Sequence, residues 1–295
     1  MAQTIVCIGS VLWDIIGRSN AHMRVGSDLP GRIERLPGGV ALNIAMTLGR
    51  FGLRPVLLSA VGQDPEGDEL VKACEDLGLV TDLLYRSEDL PTDTYMAVEG
   101  ANGLIAAIAD AHSLERAGQK ILRPLSDGGL GTPEEPYPGP IALDGNLTQS
   151  LLADIAVSPE FAQADLRVAP ASPGKVLRLL PLLTHPKATL YVNLEEANAL
   201  LEGTFGTAQD AAAALVHKGA ARVLVTNGGE AASLATSDIC LSAQPPQVLV
   251  TRVTGAGDTF MAAHIASELA GLAPQAALDA ALQAAARYVS GESPL

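Results

Sequence analysis

A chain of 295 residues, 48% of them hydrophobic and 18% charged, has the apolar material for one large core and is not a disordered polypeptide. Its 33 acidic residues against 19 basic ones give a net charge of −14, which argues against nucleic-acid or anionic-membrane partners. The three cysteines, Cys7, Cys74 and Cys240, are isolated and lack metal-ligand spacing, so reduced cytoplasmic thiols are the default.

The first apolar run, residues 5–8, lies in a start that has no basic leader and is interrupted by Asp14. It reads as a first strand rather than a signal peptide, and no apolar run approaches a membrane span. Asp14 follows that strand at its carboxyl end, where a carboxylate can accept hydrogen bonds from two vicinal hydroxyls; a solvated loop Asp explains it equally well. Residues 24–36, and later 92–110, are β-prone without intervening helices. Together they predict a small antiparallel sheet beside the main domain, suited to a lid over a site, unless they are ordinary surface hairpins.

Gly38-Gly39 opens a predicted helix over residues 40–51, and Asn43 interrupts its apolar face in the first turn. Bare glycine backbone lets a ligand approach, and an amide that both donates and accepts suits a sugar hydroxyl. A helix-end Asn is the plainer reading of that residue alone. Beyond it, strands are expected at 56–61, 141–143, 166–169, 189–192 and 222–226. Helices are expected at 67–77, 148–156, 174–183 and 207–218, and residues 128–140 read as a Gly/Pro-rich loop. This alternation predicts an α/β fold: a mostly parallel central sheet with helices on both faces and ligands beyond the carboxyl ends of its strands.

Asn193 and Glu196 follow the strand at 189–192 and open a helix. They form a capping-box pattern that would equally hold the waters of a hydrated Mg²⁺. Thr226 and Gly228 begin a turn after the next strand, an ordinary strand-to-turn sequence with the small, hydroxyl-bearing character of a nucleotide contact. The most informative stretch is Val253-Thr254-Gly255-Ala256-Gly257-Asp258-Thr259-Phe260, which leads into an apolar helix. Free N–H groups in a first helical turn favour an anion, and an Asp beside that anion can take a proton from an attacking hydroxyl. Phosphoryl transfer to an alcohol requires that pair. Residues 248–289 as a whole predict one strand and then two Ala-rich helices. No P-loop or Gly-x-Ser-x-Gly motif is present, and the five histidines lack metal-ligand spacing.

The combination of Gly38-Gly39-x-x-x-Asn43-x-Ala45, Asn193-x-x-Glu196 and Thr254-Gly255-Ala256-Gly257-Asp258 resembles the ribokinase-like (PfkB) carbohydrate and nucleoside kinase family across nearly the whole chain. The resemblance implies one ribokinase-like domain over residues 1–295, with a β lid built from about 17–37 and 91–110. It implies that Asp258 is the base and that Gly255, Ala256 and Gly257 supply N–H groups to the transferring phosphoryl. Asn193 and Glu196 would organise Mg²⁺ through water, Thr226 and Gly228 would lie on the ATP side, and Asp14, Gly38, Gly39 and Asn43 would grip the sugar. A K⁺-like monovalent cation and a homodimer through the lid are further implications. Softer stretches, among them Pro30-Gly31-Arg32-Ile33, Ala107-Ile108-Ala109-Asp110 and Asp144-Gly145-Asn146, resemble the pseudouridine-phosphorylating branch, with a free sugar such as ribose as the alternative acceptor. A non-catalytic sugar- or nucleoside-binding relative is the other alternative. Arg252-Val253 and Ala231 depart from the family pattern on the nucleotide side.

Overall fold

Short apolar runs alternating with helices build, in a computed structural model that describes residues 2–294, a layered α/β molecule. In chain order its strands are β1 (Thr4–Ile8), β2 (Leu12–Arg18), β3 (Arg32–Gly38), β4 (Arg54–Leu58), β5 (Ala60–Gly62), β6 (Tyr85–Ser87) and β7 (Thr94–Gly100). They continue with β8 (Gly103–Asp110), β9 (Pro140–Asp144), β10 (Asp165–Ala169), β11 (Ala188–Asn193), β12 (Arg222–Asn227), β13 (Glu230–Thr236) and β14 (Cys240–Ala243). The helices are α1 (Val40–Arg50), α2 (Pro65–Asp76), α3 (His112–Ala117), α4 (Gln149–Val157), α5 (Leu194–Leu201), α6 (Ala208–His217), α7 (Ala256–Leu269) and α8 (Pro274–Ser290).

The main sheet runs β14-β13-β12-β11-β10-β9-β1-β4, parallel from β12 to β4 and antiparallel at β13 and β14. Strand alternation divides the core between its two faces. Val6, Ile8, Leu143 and Val168 pack with residues of α4, α5 and α6, whereas Ile5, Cys7, Leu57 and Leu224 pack with those of α1, α7 and α8. Fully buried parallel strands of this kind form only when helices cover both sides. Burial also pushes the Cys7 thiol far above its usual range, which leaves it an inert packing group.

A second sheet, ordered β3-β2-β7-β8, stands beside the main one. Its β2–β7 pair is parallel, so the sheet is mixed rather than antiparallel throughout. It also begins earlier than the sequence predicts. Leu12–Arg18 alternates as a strand, so Asp14 sits within β2 and not in a loop after β1. Residues 19–31 carry no strand, since Gly26, Pro30 and Gly31 interrupt any ladder there. The predicted run at 56–61 breaks at Ser59 into β4 and β5, and the helix expected at 174–183 is the 3₁₀ segment Pro173–Leu182, with Pro181 inside it.

No strand forms at residues 248–252. Among the described residues their only backbone bonds are from the Thr251 and Arg252 N–H groups to the Val289 carbonyl, and Val248, Leu249 and Val250 are exposed. The sheet instead continues through β13 and β14, which the sequence reading missed. Asn227 pairs with Glu230 across a two-residue Gly228-Gly229 turn, with Gly228 at φ +57°, as tight hairpins require. Among the described residues no helix is long and apolar enough to cross a membrane.

Candidate active site

Helix α7 starts abruptly because Gly255, at φ +86°, turns the chain into it without a side-chain cap. A Cβ on Gly255 would stand 2.5 Å from the Tyr288 hydroxyl, which donates to the Thr254 carbonyl at 2.9 Å and so clamps the turn from α8. The N–H groups of Gly255, Gly257 and Asp258 meet no acceptor among the described residues. Ala256 differs from the expectation: its N–H is used within the turn, donating to the Val253 carbonyl at 3.0 Å. A Cβ on Gly257 would meet nothing within 4 Å, so bare backbone opens onto free space there. Unspent donors at the positive end of a helix make an anion cradle.

Asp258, in that same first turn, accepts from Asn43 Nδ2 at 3.0 Å. Burial pushes its carboxyl up to about 7, and the charges of Asp144, Asp14 and Glu196 add to the rise against the Asn43 bond. Asn43 is thereby placed at the site by α1, which crosses α7 in the core beneath it.

The start of α1 is built differently. Gly39 enters at φ +99°, and a Cβ there would stand 2.5 Å from the Ser10 carbonyl. Val40 N–H donates to Ser10 Oγ at 2.8 Å, Ala41 N–H to Asp144 Oδ2 at 3.0 Å, and Leu42 N–H to the Ser10 carbonyl at 3.3 Å. The first-turn donors of α1 are therefore spent internally, unlike those of α7.

Asp144, wholly buried at the end of β9, also accepts from Ser10 N–H, Ser10 Oγ and Asn146 N–H. It ties the ends of β1 and β9 to the α1 entry, while Lys175 Nζ and Ser10 Oγ bracket Asn146. No motif in the sequence marks Asp144 as a site residue. A carboxylate at the carboxyl end of an internal parallel strand is the signal that would have found it.

Asp14 projects from β2 toward Gly38, where any Cβ would overlap its carboxylate. It makes no side-chain hydrogen bond with the described residues, and burial raises its pKa to about 6. A half-buried carboxylate without donors is a receptor for hydroxyl groups from outside the protein.

On the opposite side of Asp258, the ends of β10, β11 and β12 form a cleft of about 170 Å³. Asn193, Glu196, Thr226, Gly257, Asp258 and Phe260 are among its lining residues. Asn193 and Glu196 complete a full capping box: Glu196 N–H donates to Asn193 Oδ1 at 2.9 Å, and Asn193 N–H donates to Glu196 Oε2 at 2.8 Å. This leaves one Glu196 oxygen and the Asn193 amide N–H₂ uncommitted. Burial raises the Glu196 carboxyl above its ordinary range. Gly228 does not join the cleft. It is exposed at the tip of the β12–β13 turn, where the hairpin uses its conformational freedom.

Among the described residues no group of three or more His, Cys, Asp and Glu side chains could itself hold a metal ion. One free carboxylate oxygen at the cleft fits a cation that keeps its own waters and leans on anionic oxygens of a ligand, which is the habit of Mg²⁺. A larger cleft of about 420 Å³, lined by residues that include Lys120, Arg123, Asp154 and Phe161, lies elsewhere and contains none of the motif residues.

The model of the pfkB family of carbohydrate kinases matches residues 2–294, and the chain belongs to that family. The pseudouridine kinase of Escherichia coli (strain K12) is 30% identical over 273 residues, covering 88% of this chain and 81% of that protein. A carbohydrate kinase from Agrobacterium tumefaciens superposes with a TM-score of 0.81 at 23% identity, covering 100% of this chain and 93% of that one. The Arabidopsis thaliana ribokinase complexed with ribose and ATP superposes with a TM-score of 0.77 at 21% identity, covering 98% of this chain and 93% of that one. The ribokinase-like fold expected from the motifs is thus the fold observed, and the class is that of the pfkB-family carbohydrate kinases.

Proposed function

We propose that this chain transfers the γ-phosphoryl group of ATP to the primary 5′-hydroxyl of a ribose-containing nucleoside, with pseudouridine the best-supported acceptor. The observation that carries the reading is the Asn43-held Asp258 carboxylate in the same helical turn as the unspent N–H groups of Gly257 and Asp258. The acceptor name rests on the E. coli pseudouridine kinase, whose likeness spans most of both chains.

In the proposed step the acceptor oxygen attacks the γ-phosphorus as its proton passes to Asp258. An O–P bond forms, the bond from phosphorus to the bridging β,γ-oxygen breaks, and ADP leaves with that electron pair. The free N–H groups of Gly255, Gly257 and Asp258 receive the charge on the transferring group. Asp14, Gly38, Gly39 and Asn43 hold the ribose, with Asp14 accepting from its hydroxyls. Thr226 lies on the nucleotide side. Glu196, with Asn193 beside it, would hold Mg²⁺ through water, and the ion would supply neutralising charge to the phosphates. The second sheet acts as a lid. Its exposed Ile33, Met96 and Ile108 make it the face through which a homodimer would form, and a monovalent cation remains part of the proposal.

The test is a panel of pseudouridine, uridine, adenosine and ribose with MgATP. Pseudouridine is expected to give the highest kcat/KM; preference for ribose rejects the nucleoside reading. Asp258→Asn is expected to lower kcat by about 10²-fold or more while ATP binding survives, the usual scale for a lost general base. Near-normal turnover in that variant rejects the role.

A further inference from the structure

Resting on the nucleoside reading above, we infer that Tyr95 meets the ring carried on C1′ of the acceptor and so sets the preference for a nucleoside over a free sugar. The parallel β2–β7 register places Tyr95 opposite Asp14, and residues in register share a sheet face. Asp14 abuts Gly38, next to Gly39 and Asn43, so this face of the small sheet is turned toward the acceptor side of Asp258. Ala109 stands opposite Tyr95 on β8 and Ala97 two residues further along β7, and neither has a side chain large enough to cover the phenol.

The other large aromatic of this sheet is already committed. Trp13 lies on the opposite face, donates from Nε1 to the Glu66 carbonyl at 2.8 Å, and carries the Arg35 guanidinium 3.9 Å from its ring centroid. Tyr95, in contrast, is half-buried, and its hydroxyl has no partner among the described residues. Asp14 beside it is equally without a donor. Two uncommitted polar groups side by side on one face form a receptor with two parts. Burial, and then the charges of Asp14 and Glu99, raise the phenol above its usual pKa, so it remains a hydrogen-bond donor at neutral pH.

The chemistry of a nucleoside fits the spacing. Asp14 takes the vicinal 2′- and 3′-hydroxyls, and C1′ is one bond from C2′. A ring at C1′ therefore falls beside the in-register neighbour of Asp14. A phenol offers a flat face for stacking a heterocycle and a hydroxyl for a ring carbonyl or N–H. Free ribose bears only a hydroxyl at that carbon and does not reach the phenol.

The experiment compares wild type, Tyr95→Phe and Tyr95→Ala on pseudouridine, uridine and ribose at saturating MgATP. Tyr95→Ala is expected to lower kcat/KM for the nucleosides about 10- to 100-fold, mostly through KM, the scale of a lost aromatic contact. Ribose turnover should stay within about 3-fold over the same substitution. Tyr95→Phe keeps the fold and the stacking face and should fall between the two. Calorimetric titration of pseudouridine into Asp258→Asn, with and without Tyr95→Ala, reads the contact without chemistry and should show the same loss. Unchanged nucleoside kcat/KM in Tyr95→Ala, or an equal loss on ribose, overturns this assignment alone. A wild-type enzyme that phosphorylates ribose but neither binds nor phosphorylates nucleosides overturns the nucleoside reading and this assignment with it.

Discussion

Burial raises Asp258 to about 7 and Asp14 to about 6, so two carboxylates of one site change charge across the neutral range. A base works only when ionised, and a receptor for hydroxyls accepts best when ionised. Acceptor kcat/KM is therefore expected to fall as pH drops through about 7 and more steeply below about 6, the profile reporting the pair rather than either residue. Asp14→Asn should leave a single-proton limb; an unchanged double limb in that variant removes Asp14 from the profile. Stability carries the opposite sign. The folded pKa of Asp258 lies above its ordinary 3.8, so the native state holds the proton more tightly and loses stability as pH rises from 3.8 to about 7. Asp258→Asn removes that penalty. After a discount for partial exposure, the variant should gain about 1 kcal/mol at pH 8, roughly 2–4 °C in melting temperature, with the gap closing toward pH 4. A variant that melts below wild type at pH 8 contradicts the assignment of the raised pKa to burial.

Helix α7 owes its entry to two glycines with different physical duties, and substitution separates them. Gly255 needs φ +86°, and a Cβ there would crowd the Tyr288 hydroxyl, so Gly255→Ala should cost about 1–3 kcal/mol and lower the melting temperature together with kcat. Gly257 lies in ordinary helical backbone with open space around it, so Gly257→Ala should melt at or above wild type by up to about 1 kcal/mol. Its methyl nevertheless enters the cleft, and KM for ATP should rise. A Gly257→Ala enzyme with unchanged ATP kinetics would remove the cleft from the nucleotide path.

This entry was legible in the sequence because glycine pairs and a first-turn Asp are local signals, as was the parallel sheet, whose strands are short continuous apolar runs. What stayed hidden depends on distant partners. Residues 248–252 look like a strand but find no strand to pair with, and β13 and β14 look unremarkable but complete an edge. Asp144 shows its importance only when Ser10 and Ala41, far away in sequence, converge on it. Tyr95 acquires a neighbour in Asp14 only through the β2–β7 register.

At the scale of the whole molecule, α7 is fixed at its far end by a cluster that joins three strands of the sheet. Arg167 of β10 and Arg222 of β12 both bond Glu268 in the last turn of α7, and Arg167 also bonds Tyr191 of β11 at 3.1 Å. Tyr191 pairs with His264 Nδ1 at 2.9 Å, and His264 Nε2, wholly buried, finds no partner among the described residues. Burial drives the His264 pKa down to about 3, so the ring is neutral and the negative charge of the cluster comes from Glu268 and from Asp165, which bonds Arg167 at 2.6 Å. Burial alone would raise Glu268, but the two arginines and His264 outweigh it and bring the carboxyl to about 2. A folded value below the ordinary 4.5 means that the contribution is complete above pH 4.5 and is lost as pH falls toward 2. Glu268→Gln leaves the Arg222 guanidinium without its carboxylate partner and Arg167 with Asp165 alone, so it should cost about 3 kcal/mol by urea unfolding at pH 7. The difference from wild type should shrink below half of that by about pH 3, where the carboxylate of the unfolded chain has taken up its proton. A difference that stays constant between pH 7 and pH 3 would assign the loss to packing alone and leave α7 held by its hydrophobic face rather than by this ion cluster.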